Sequence, residues 1–144
     1  MAITSAICNS FKVQILTGTH NFTVTSGDTF NLALYTSSAT LNKSTTAYTT
    51  SNEVATATGY TAKGKALTSI TPVLSSDTAV CDFANVSWTS ASFTSRGCLI
   101  FNDSVATDPA VCAIDFGGDK TVTSGTFTIE FPAASAGTAI IGIA

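Results

Sequence analysis

The strongest limit on this chain's fold is a period of two. In "TFNLALYT" (29–36) and "KTVTSGTFTIEF" (120–131), large apolar side chains recur at every second position, with smaller or more polar residues between them. That is the pattern of a strand with one face on a core and the other toward water. The first stretch sets Phe30, Leu32 and Leu34 on one face against Asn31, Ala33 and Tyr35 on the other. The second sets Phe127, Ile129 and Phe131 together and turns Glu130 outward, where a charge guards a strand edge. Helical spacing shows once, near the start: Ile7, Phe11 and Ile15 recur every four residues and Gly18 follows as a stop, which predicts a short N-terminal helix.

Between these landmarks run further candidate strands: "KALTSITPVL", whose Pro72 marks an edge or bend, "TAVCDFANVSW", "ASFTS", "GCLIFND", "AVCAIDF" and a closing "AGTAIIGIA". Asp108-Pro109 in the short connection after "GCLIFND" predicts a hairpin, and Ser124-Gly125 predicts another within 120–131. From Ser38 to Lys65 the chain carries hardly a branched aliphatic residue, so this stretch is expected to be an exposed arm or long loop. The expected architecture is all-β: a single-domain sandwich or barrel over residues 1–144, of about eight to ten short strands with one short helix.

Composition narrows function. Lys and Arg total 6 against 9 acidic residues, a net charge of −3. The basic residues (Lys12, Lys43, Lys63, Lys65, Arg96, Lys120) are scattered, with no stripe to displace phosphate counterions, so no nucleic-acid partner is expected. Charged residues are 10% of the chain, well below the usual quarter or so, and 43 of the 144 residues are Ser or Thr. Two readings fit: a surface cheap to bury against another protein, or strands with threonine on their exposed faces. "MAITSAICNSF" has neither a basic start nor an apolar core, so no export signal is expected. The sequons at Asn21, Asn42, Asn85 and Asn102 are then products of the Ser/Thr content. "AIIGIA" is too short for a membrane span.

Catalytic and metal-binding patterns are sparse. Asp115-Phe116-Gly117 spells the magnesium tripeptide of protein kinases, but the Gly-rich loop, strand lysine and H-R-D loop are missing. Asp115 and Asp119 flank Gly117-Gly118 and could share a calcium ion, yet without the D-x-D-x-D-G pattern they read as turn residues. His20 in "GTHNF" reads as a loop or capping residue. Glu53 and Glu130 are the only glutamates open to acid/base work. Phe83 and Trp88 could form a sugar platform but sit in alternating runs as core residues do. Cys8, Cys81, Cys98 and Cys112 fit no zinc spacing. Cys98 and Cys112 flank the predicted hairpin, where a reducing cytoplasm would keep them as thiols. No catalytic, metal-binding or cofactor-binding residue is assigned, and an enzyme is not expected.

Three segments, "FNLALYTSSATLNKSTTAYTTSNEVATATGYTAKGKALT", "WTSASFTSRGCLIFN" and "VCAIDFGGDKTVTSGTFTIEFPAASAGTAIIGIA", together with the "SFK…L.G.H.F" beginning at Ser10, resemble a family of small virion structural proteins of tailed bacteriophages of cyanobacteria and marine bacteria. The resemblance spans nearly the whole chain. It implies a component of the virion, assembled in the host cytoplasm. The expected role is a head decoration (cement) protein contacting the major capsid protein and copies of itself, as a trimer by analogy with other decoration proteins. A tail, neck or fibre component and a glycan-binding host-recognition module are the alternatives. Cys98 and Cys112 depart from the pattern, where small apolar residues are usual, which further weakens a disulfide between them.

Overall fold

A computed structural model describes residues 2–57 and 59–144 of the chain. The fold is all-β with one short helix, as the alternation predicts. In chain order the elements are β1 (Ala6–Ile7), α1 (Asn9–Leu16), β2 (Phe30–Tyr35), β3 (Lys65–Ala66), β4 (Ser69–Ser75), β5 (Thr78–Phe83), β6 (Val86–Asn102), β7 (Ala110–Ile129) and β8 (Ile141–Ile143). They form two antiparallel sheets, ordered β1-β7-β6-β2-β3 and β4-β5-β8. Each sheet ends in edge strands, so the fold is a pair of open sheets and the closed barrel is ruled out.

Two strands are far from short. β6 has 17 residues and β7 has 20, and together they make one long hairpin about the Asp103–Pro109 loop. The hairpin predicted at Asp108-Pro109 is there; the one predicted at Ser124-Gly125 is not. Ser124 (φ 46°) and Ser90 (φ 48°) lie on either side of the Ala91–Gly125 pair, in a bulged stretch of the ribbon. A bulge tolerates the same positive φ as a turn but lets the strand run on. The Ser92 hydroxyl closes this one by accepting from the Ser124 N–H at 2.9 Å.

A similar correction applies at "DFGGDK". Ser95 pairs with Lys120 and Gly97 with Asp115, so residues 116–119 bulge from a continuous strand opposite Arg96. Gly117 takes φ 80° there, which only glycine adopts freely. These residues therefore bend β7 rather than end it.

One apolar core joins both sheets and α1. The helix contributes Phe11, its single buried residue, and stops at Gly18 with φ 76°. β2 is buried along all six residues, where alternation predicted one face toward water. Phe30 stacks on Phe22 at 4.3 Å between centroids, while the Tyr35 hydroxyl, on the other face, donates to the Thr49 carbonyl at 2.7 Å. Thr49 belongs to the 38–65 stretch, which corrects the expectation of an exposed arm. The stretch is a long loop, but Ala39, Leu41, Val54 and Tyr60 anchor it in the core. Single backbone bonds fasten it at intervals: Val54 N–H to Leu34 O at 2.9 Å, Tyr48 N–H to Asp108 O at 3.0 Å and Thr4 N–H to Leu41 O at 2.8 Å. Such bridges need no side-chain period, so the segment packs without looking like a strand. Thr58, within it, lies outside the described residues.

Pro72 sits where the sequence places it, in the edge strand β4, at a register shift between Ile70 and Val73.

Candidate functional site

Two knots of hydrogen-bonded polar groups are partly or wholly buried. At the first, Glu53 accepts three hydrogen bonds: from the Tyr48 hydroxyl at 2.5 Å, the Tyr60 hydroxyl at 2.7 Å and the Lys63 N–H at 2.8 Å. Tyr60 in turn accepts the Leu34 N–H at 2.9 Å. Desolvation and the adjoining carboxylate push the Tyr48 phenol up to about 12 and raise Tyr60 further. Lys63 then bridges outward to Asp103 and Asp108 at 2.9 and 2.8 Å. The whole arrangement ties the 38–65 loop to β2 and to the β6–β7 loop. Glu53 is thus a structural acceptor, and Glu130 is exposed beyond the end of β7; no bond or shared pocket joins the two glutamates.

The second knot holds His20. Its Nε2 meets Gln14 Oε1 at 2.9 Å and its Nδ1 meets Asn102 Nδ2 at 3.1 Å. Asn102 Nδ2 also donates to Asp28 Oδ2 at 2.7 Å. An amide nitrogen can only donate, so Nδ1 is the acceptor and the ring is neutral, with its proton on Nε2. Burial lowers the His20 pKa and the Asp28 charge opposes that in part. The ring packs 4.9 Å from Phe11 and 6.1 Å from Phe30, so His20 pins the helix to the core.

The remaining residues singled out by sequence fall into structural places. Asp115 accepts from the Gly117 N–H at 3.0 Å and from Arg96 Nε at 3.1 Å; those bonds, the backbone one first, hold its pKa below the usual value. The structure does not join Asp119 to it as a ligand pair, and among the described residues no cluster of three metal-ligating side chains occurs. Phe83 and Trp88 are both buried, Trp88 lying 6.1 Å from Tyr60 and 6.2 Å from Phe127, which leaves neither face free for a sugar. All four cysteines are free thiols. Cys98 pairs with Ile114 and Cys112 with Ile100, so the two are diagonal neighbours. Diagonal Cβ atoms stand about 7–8 Å apart or slightly less, beyond the roughly 4 Å a disulfide needs. Burial pushes Cys8 up to about 11 and Cys112 up to about 12, and raises Cys98 well above its usual value.

The surface offers three features. An open groove of about 480 Å³ runs between β7 and the segment that follows it, walled by Ile114, Phe116, Phe127, Ile129, Phe131 and Ile140, with Lys120 and Glu130 also lining it. The edge strand β4 exposes five residues in a row, Ile70 to Leu74, none of them charged. Lastly, β6 and β7 continue past their neighbours: β2 pairs only with residues 97–102 and β1 only with 112–113. Residues 86–95 and 120–129 are therefore a two-stranded ribbon with Lys120 as its single charge. Hydroxyls pair across it, Thr94 with Thr121 and Ser87 with Thr128, both at 2.8 Å.

Sequence reasoning missed the groove because it ended the strand at Asp115. Ile114 and Phe116 alternate across that point, and following the alternation through the glycines would have placed Phe116 on the wall. Comparison of the chain with protein-family models, curated proteins and solved structures gives no match.

Proposed function

We propose that this chain is a non-enzymatic structural protein of a phage particle, a decoration protein that seats on the head and clamps neighbouring major capsid subunits. The observation that carries the proposal is the ribbon of residues 86–95 and 120–129, whose single charge is Lys120 at its end. Two pairs of its hydroxyls, Ser87 with Thr128 and Thr94 with Thr121, satisfy one another across the strands, and covering a hydroxyl face carries a smaller desolvation cost than burying lysine or glutamate. A shell repeats each contact many times, and modest contacts then add through multivalency. The polar groups that could serve an active site support the same reading, since Glu53, His20 and Asp115 each spend their hydrogen-bonding capacity inside the fold.

The test is co-sedimentation of purified protein with phage heads stripped of accessory proteins. Saturable binding, lost on Thr94→Lys/Thr121→Lys substitution in a chain that still folds, is expected. Binding confined to tails, or none at all with correctly folded protein, would overturn the proposal.

A further inference from the structure

The molecule carries both halves of a joint. The groove beside β7 is concave and apolar, and no residue of β4 or β5 lines it. β4 is the complementary shape: an edge strand whose residues Ile70, Val73 and Leu74 face solvent, Leu74 with 72% of its surface exposed. Natural edge strands are normally blunted by charge, strong bulging or a covering element. β4 has the bulge at Pro72 but neither charge nor cover on its outer edge.

Charge marks the orientation. Asp77 stands in the turn between β4 and β5, three residues beyond Leu74, and is exposed. Lys120 lines the groove and is exposed. Neither belongs to an ion pair among the described residues, where the pairs are Lys63 with Asp103 and Asp108, and Arg96 with Asp115. The groove wall carries one ammonium group, Lys120, and one carboxylate, Glu130, so an apolar ridge tipped by a carboxylate fits it in the orientation that sets Asp77 at Lys120 and away from Glu130.

We infer that the occupant of the groove is β4 of a second copy of this chain, inserted with Asp77 against Lys120. Ridge and groove are different surfaces, so the contact is heterologous: each copy gives one half and receives the other. Such a contact closes into a ring when the rotation allows and otherwise runs on as an open chain. Five exposed residues offer on the order of 400 Å² per partner, about half of a standard interface. A single contact is therefore weak and populated only at high protein concentration, and ring closure or a template that holds copies side by side strengthens it. The inference deepens the decoration proposal by naming the self-contact, but it rests on the two surfaces alone and is tested without any particle.

The experiment is complementation by mixing, followed by light scattering and sedimentation velocity over a wide range of concentration. Wild-type protein should rise in mass with concentration. Val73→Glu/Leu74→Glu spoils the ridge at exposed positions, and Phe116→Glu spoils the groove; each alone should stay monomeric, and a one-to-one mixture should form dimers and nothing larger. Because Phe116 is half-buried, Lys120→Glu serves as a second groove variant at an exposed site. It should weaken association, and pairing it with Asp77→Lys in the same chain should restore it. A wild type monomeric at every concentration would overturn the inference. So would a mixture that fails to form dimers while both variants are folded, or a charge reversal without rescue.

Discussion

Replacing Glu53 with alanine tests whether the 38–65 loop is held by the carboxylate knot. Three donors converge on this side chain, and they differ in what they can do once it is gone. Tyr48 is half-buried and can turn its hydroxyl to water. The Tyr60 hydroxyl, on a side chain 2% exposed, and the Lys63 N–H cannot easily do so. Two stranded donors at about 1–3 kcal/mol each put the loss near 3 kcal/mol. With a urea dependence of about 2 kcal/mol per molar, that lowers the unfolding midpoint by roughly 1.5 M. Glu53→Gln keeps Oε1 for Tyr60 and Lys63 and offers an amide to the Tyr48 oxygen, which can accept. Its cost should stay near 1 kcal/mol, the difference between charged and neutral hydrogen bonds. The assay is urea titration followed by fluorescence of Trp88, the only tryptophan, which is buried 6.1 Å from the Tyr60 ring. A midpoint shift below about 0.5 M for the alanine variant would refute the reasoning, because the loop would then be held by its apolar anchors alone.

Three further outcomes follow from the same structure. Gly64 has φ 67° and an added Cβ would overlap the Leu32 carbonyl, so Gly64→Ala should cost about 2 kcal/mol or more in the same titration. Thiol titration at neutral pH should find Cys98 and Cys112 unreactive in the folded chain and four free groups after denaturation; a Cys98–Cys112 disulfide would contradict the observed register. Burial lowers the His20 pKa below its unfolded value of 6.5, so the unfolded chain takes up the proton first as pH falls. The stability due to the neutral ring is present above about pH 6.5 and is lost progressively below it. Unfolding midpoints measured at about pH 7.5 and 5.5 should therefore differ less in His20→Gln than in the wild type; equal differences would refute the assignment.

The fold was legible where side chains carry the information. "GCLIFND" and "AVCAIDF" are apolar runs joined by Asp108-Pro109, and they form the two halves of the hairpin as expected. The helix could be read from Phe11 and Gly18 because spacing and stop agree. Ser124-Gly125 and Gly117-Gly118 misled because a bulge and a turn draw on the same residues for the same positive φ; only pairing across the ribbon tells them apart. The 38–65 loop was illegible for another reason: isolated backbone bridges, four scattered apolar anchors and one glutamate hold it, and none of these leaves a periodic trace. The groove followed from the Asp115 misreading, since its wall is the alternation of Ile114 and Phe116 carried through a bulge. The ribbon hydroxyls were visible in the sequence only as a surplus of threonine, consistent with both a cheaply buried surface and an ordinary exposed strand face.

A decoration protein is defined by where it sits on the particle. On the decoration proposal, a cryo-EM reconstruction of a phage particle whose genome encodes this chain measures that directly. Decoration predicts density matching the two-sheet fold at repeated positions over the whole head, with the 86–95 and 120–129 ribbon against the capsid surface. Density confined to the tail, neck or fibres would place the chain elsewhere in the virion, and a head surface fully explained by the capsid protein alone would contradict the decoration role.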